Sequence, residues 1–209
     1  MQTYLRENNS EDLIVIMNGW GMDEKPFLPI KSDCDVLFLS DYTNSDFSFD
    51  FAKYKKKILI SFSAGVMMAG YLQKNLPQFD LKIAINGILN TFDKHGIPGD
   101  ILFEIENISM ETALDFRKKL INEPKHIDLF NINQPSRSLE SSQNELCALK
   151  NYVATNDFKY DKVILGENDE IIPVENQKKA WEGHKNTRVI KGGHFLFYSF
   201  DNFNEIIEL

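Results

Sequence analysis

Short apolar runs recur along the chain, separated by longer stretches in which apolar and polar residues mix. They read LIVIM at 13–17, DVLFLS at 35–40, KILIS at 57–61, LKIAIN at 81–86, KVILG at 162–166 and TRVIKG at 187–192. Near-continuous Val, Ile and Leu, rather than strict alternation, is the pattern of strands covered on both faces. It predicts an α/β architecture with a mostly parallel sheet and helical crossovers. Helix patterns cover 65–74, 174–181 after Pro173, and 200–209.

Between 88 and 161 the rhythm changes and no clear buried strand is found. Here METALDFRKKLINE predicts an amphipathic helix in which Leu114, Arg117, Lys118 and Ile121 give an apolar and a basic side. The expectation is one α/β domain over 1–209, with helices inserted at 90–160 as a lid over the sheet ends.

The run KILISFSAGVMMAGYL puts Ser63 on the junction between a strand and a helix, with Ala64 and Gly65 after it. Small neighbours let the helix approach the sheet closely, so that the hydroxyl stands above the strand ends, which is the logic of a nucleophile elbow. The usual G-x-S-x-G appears here as SFSAG, with Ser61 in place of the first glycine. A helix cap is the plainer use of Ser63.

A serine hydroxyl is a weak nucleophile until a base takes its proton, and the base needs an orienting acid. VILGENDEIIP places Asp169 beyond a strand, with Glu167 as an alternative acid, and TRVIKGGHFLFYS places His194 beyond the next. The order Ser63, Asp169, His194 is that of the α/β-hydrolases. His95, His126 and His184 lack comparable partners and are read as surface or lid residues. Donors for a developing oxyanion are expected from the Ala64 amide and from the loop MNGWGMDE, where Gly19 and Gly21 flank Trp20. The Trp20 amide would face the site and its indole would wall an acyl pocket, or the ring would only pack the loop onto the sheet.

Composition narrows the classes further. A net charge of -8 leaves no surplus of cations for general nucleic-acid binding. Cys34 and Cys147 have neither disulfide density nor zinc spacing and are read as free thiols. No phosphate loop, dinucleotide fingerprint or metal-ligand spacing is present, so no cofactor is expected. The N-terminal residues show no export pattern, and no window approaches the roughly 20 apolar residues of a membrane span. A cytoplasmic protein is expected.

Taken together, NGWGMDE, SFSAG, GENDEIIP and GGHFLF resemble the BioG-type pimeloyl-[acyl-carrier protein] methyl ester esterases, a compact α/β-hydrolase family of biotin synthesis. The resemblance runs from about Leu13 to the C-terminus. It implies removal of the methyl group that disguises a pimeloyl chain on acyl-carrier protein, with Ser63 as nucleophile, Asp169 as acid, His194 as general base and Trp20 on the oxyanion loop. Ser61 departs from the superfamily pattern. An acidic carrier would need a local positive surface, for which Arg117, Lys118 and Lys119 are the candidates, with Lys125 and Arg137 beyond them. The rival readings are a small-molecule carboxylesterase or thioesterase with no carrier requirement, and a noncatalytic hydrolase-like binding protein.

Overall fold

The computed structural model describes residues 1–109, 111–155 and 157–209, and of Leu114 the backbone alone. The Leu114 position on the apolar side of the expected amphipathic helix therefore lies outside the described residues. In chain order the elements are β1 (Gln2–Arg6), β2 (Asp12–Met17), β3 (Asp35–Ser40), β4 (Lys56–Phe62), α1 (Ala64–Tyr71), β5 (Leu81–Ile85), α2 (Gly99–Glu106), α3 (Ala113–Leu120), α4 (Pro124–Ile132), α5 (Leu139–Leu149), β6 (Lys162–Gly166), α6 (Val174–Ala180), β7 (Thr187–Ile190) and α7 (Phe203–Glu208).

The seven strands form one sheet in the order β1-β3-β2-β4-β5-β6-β7. All neighbours are parallel except β1, which runs antiparallel to β3 at the edge. Each apolar run divides its residues between two faces, because strand side chains alternate. Ile14, Ile16, Ile58, Ile60 and Phe62 join one core with Phe27, Phe197 and α7. Leu13, Val15, Met17 and Leu59 join the other with α1. Runs without polar residues are what two-sided burial demands.

The six expected strands are present: those at 35–40 and 162–166 have the expected bounds, and the other four differ by one or two residues at an end. β1 was not expected: QTYLR is short and mostly exposed, so no apolar run marks it. The first helix stops at Tyr71 rather than Lys74, and turns occupy the residues up to Leu76. The last begins only at Phe203, where the Asn202 side chain accepts from Glu205 N and caps it. Residues 88–161 hold four helices, α2 to α5, and no strand among the described residues.

The chain goes from β2 outward to β3 and then crosses to β4 on the other side of β2. The carboxyl ends of β2 and β4 are therefore a switch point, where loops diverge and leave a crevice. The register pairs Met17 with Ser61, which brings the loop after β2 beside Phe62 and Ser63. Among the described residues no helix is long and apolar enough to cross a membrane.

Candidate active site

Ser63 stands between β4 and α1 with φ 53 and ψ -121. A non-glycine residue there is strained by about 1–3 kcal/mol, and such strain persists only where the surroundings enforce it. They do so by close approach. A Cβ on Gly65 would collide with the Met17 carbonyl oxygen, and one on Gly87 with the Ser63 carbonyl oxygen. Ser61 is fully buried in β4, two residues before Ser63, between Met17 of β2 and Ala84 of β5. The Ser63 side chain makes no cap bond to α1, so helix capping does not account for it.

His194 Nε2 lies 2.9 Å from Ser63 Oγ, and His194 Nδ1 lies 2.8 Å from Asp169 Oδ2. All three side chains are buried. Asp169 Oδ1 accepts from the Ile171 and Ile172 amides at 2.8 and 2.9 Å, and Oδ2 also accepts from Gln177 Nε2 at 2.9 Å. A carboxylate with that many donors is held in one orientation. Its bond to Nδ1 selects the tautomer that leaves Nε2 to accept the serine proton. Glu167, the alternative acid, is exposed to solvent. His184 is bonded instead to Thr187 and the Tyr160 carbonyl, and His126 sits beside Glu123.

Two residues that complete this frame carry no obvious sequence signal. Asn86, at φ 45, accepts from Gly166 N at 2.6 Å and donates to the carbonyls of Gly193 and His194 at 2.9 and 2.6 Å. It ties the end of β6, which leads to Asp169, to the loop bearing His194. Gln177, fully buried on α6, steadies Asp169 from behind. The Asn86-Gly87 pair marks a turn in the sequence, but nothing in it names partners 80 to 108 residues away.

A cavity opens on Ser63 and His194, and its other walls are mostly apolar, among them Trp20, Met22, Phe92, Ile105, Phe116 and Leu146. That lining has the chemistry of a site for an apolar chain with one reactive end, but as the side chains stand its free volume is only about 30 Å³, so an alkyl chain would enter only with movement of the walls. Trp20 packs edge-on to Phe116 with ring centroids 5.8 Å apart, and its indole donates to the Ser142 carbonyl at 2.6 Å. Ala64 N–H is the first amide of α1, and the first amides of a helix have no intrahelical acceptor.

The basic residues separate. Arg117 lines an outer groove that shares Trp20, Met22, Phe116 and Leu120 with the cavity, and among the described residues it has no ion pair. Lys118 pairs with Asp115 at 2.6 Å, and Lys119 pairs with Glu104. Arg137, expected on a docking face, is a correction: its side chain is 5% exposed and bonded to Asp41 and Glu145, each at 3.2 Å. Burial of Glu145 pushes its carboxyl above the usual range, against the pull of Arg137 and two backbone amides.

A mostly parallel seven-stranded sheet with a strained serine at a strand-to-helix turn defines an α/β-hydrolase, and comparison with solved structures gives the same fold. The crystal structure of BioG from Haemophilus influenzae superposes with a TM-score of 0.88 at 22% identity, covering 98% of this chain and 99% of that one. The esterase EaEST from Exiguobacterium antarcticum gives 0.69 at 13% identity, with 94% and 90% covered. The family model described as pimeloyl-ACP methyl esterase BioG matches residues 1–206, and the chain belongs to that family of esterases. A relative from Bacteroides fragilis (strain 638R), named malonyl-[acyl-carrier protein] O-methyltransferase, is 32% identical over 186 residues, or 84% of this chain. The chain spans 38% of that relative's length.

Proposed function

We propose that this esterase hydrolyses the methyl ester of a pimeloyl chain carried on acyl-carrier protein, through a Ser63 acyl-enzyme. The observation that carries the reading is the pair of contacts at His194, 2.9 Å to Ser63 Oγ and 2.8 Å to Asp169, at the polar end of an apolar cavity. His194 takes the Ser63 proton as Oγ attacks the ester carbonyl. The tetrahedral oxyanion lies against the amides of Ala64 and Trp20. The imidazolium returns its proton to the methoxide leaving group, and methanol departs. Water, deprotonated by His194, then cleaves the acyl-enzyme and releases a free carboxylate, still joined to the carrier at its far end. Asp169 orients the imidazole and stabilises its charged form without taking the proton.

The family supports the carrier-linked methyl ester, and the Bacteroides relative is named for methyl transfer on a carrier-linked malonyl group. In this reading the helices of 90–160 form a lid, and Arg117, with Lys118 and Lys119, meets the acidic carrier in the cytoplasm. No cofactor takes part in the steps above.

The test is demethylation of methyl-pimeloyl-acyl-carrier protein, followed by intact-mass spectrometry, with wild type and Ser63→Ala. Loss of the methyl group only with wild type supports the substrate and the nucleophile together. Turnover of free methyl esters but not of the carrier-linked one favours a small-molecule esterase. Equal turnover by both proteins removes Ser63 from its role.

A further inference from the structure

The cavity over Ser63 holds about 30 Å³, room for a few waters and not for an acyl chain, so a substrate must displace one of its walls. A groove beside α6, lined by Leu89, Asp93, Lys179 and Ala180 among others, shares none of those walls. The groove along α3, of about 100 Å³, is different: it adds Ala113, Arg117 and Leu139 but shares Trp20, Met22, Phe116 and Leu120 with the cavity. Those four side chains are the partition between the two spaces.

The two halves of the partition are held differently. Trp20 and Met22 stand on a loop fixed by buried bonds: the Trp20 indole donates to the Ser142 carbonyl, the Gly21 amide to Glu145, and Asp23 accepts from Ser136 N at 2.7 Å. Phe116 and Leu120 are four residues apart on α3 and so share one of its faces. Leu120 is at the pinned end, where its carbonyl accepts from Phe195 N at 3.0 Å and Asn122 donates to the Asn168 carbonyl at 2.5 Å. One turn earlier the helix is not tied to the sheet. Among the described residues, the hydrogen bonds and ion pairs of 111–119 stay within 109–121, apart from that of Lys119 to Glu104 of α2. Phe116 is therefore the part of the partition that can swing, and the contact it gives up is the edge-on one with Trp20.

We infer that Phe116 is a specificity-determining gate: the acyl chain runs from Ser63 past Phe116 into the groove along α3, and the ring yields further the longer the chain. The inference rests on the preceding proposal that Ser63 is the nucleophile. Arg117 lines the same groove, so a long chain emerges where the carrier is proposed to meet the enzyme.

The experiment measures kcat/KM for methyl octanoate and for methyl butyrate in wild type, Ala113→Trp, Phe116→Ala and Ala180→Trp, and reads their ratio, which cancels differences in the number of folded sites. Each buried methylene contributes a factor of about four, so a tryptophan at 113 that evicts the last two should lower the octanoate-to-butyrate ratio about tenfold. An aromatic pair contributes a factor of about 2 to 10, so Phe116→Ala should raise the ratio about threefold. Ala180→Trp, in the groove beside α6, should leave it as in wild type. Phe116→Leu replaces the alanine variant if that does not fold. A ratio unchanged by Ala113→Trp or by the Phe116 variant, or lowered by Ala180→Trp, would overturn the inference alone. Absence of Ser63-dependent turnover by wild type would instead overturn the proposed function and the inference with it.

Discussion

Two regions meet over the cavity, and they are held from different parts of the fold. At the strand ends, Ser63, Asp169 and His194 are fixed by a strained turn, a pair of backbone amides and the side chains of Asn86 and Gln177. Across the cavity, the loop around Trp20 is held by α5 and the residues before it, through the Ser142 carbonyl and the side chains of Glu145 and the buried Arg137. The first region inherits its precision from the sheet, whose strands cannot shift singly. The second depends on a helix joined to the sheet by loops, so its geometry can be tuned without disturbing the triad.

The comparison breaks most sharply at the acid. Asp169→Asn should keep the fold and lower kcat about 10⁴-fold, because the amide no longer selects the Nδ1–H tautomer; steady-state kinetics on a small methyl ester would read this. An effect below tenfold would mean that His194 is oriented without Asp169. Asn86→Ala comes next. It strands the Gly166 amide and two carbonyls, so it should lower unfolding free energy by about 2 kcal/mol in urea titration and kcat about tenfold. A loss of stability alone would limit Asn86 to the fold.

The smallest effect belongs to the outer face. Reversing Arg117, Lys118 and Lys119 together should slow the carrier-linked ester roughly 3- to 10-fold at low salt, and leave methyl butyrate unchanged. Because Lys118 and Lys119 already have acidic neighbours, Arg117→Glu alone should reproduce most of that loss. Equal slowing of both substrates would exclude docking.

What the sequence disclosed follows the same division. Strands buried on both faces announce themselves as apolar runs, and SFSAG, Asp169 and His194 fall at their ends, so the sheet and the three residues at its rim were legible. β1 was not, because an edge strand with one exposed face needs no apolar run. Arg137 read as a surface cation because charge is exposed by default; its burial depends on Asp41 and Glu145 arriving from elsewhere in the chain. Glu145, Asn86 and Gln177 were invisible for the same reason, since each acts through bonds to groups that only the folded chain brings near.

The strained backbone of Ser63 has a further consequence for the history of such a chain. Glycine adopts that conformation freely, so a glycine at 63 would relieve the local strain at the expense of the hydroxyl and its contact with His194. On the proposed nucleophile role, selection for endurance alone would drift toward an inert protein, and the serine would persist only while its chemistry is used.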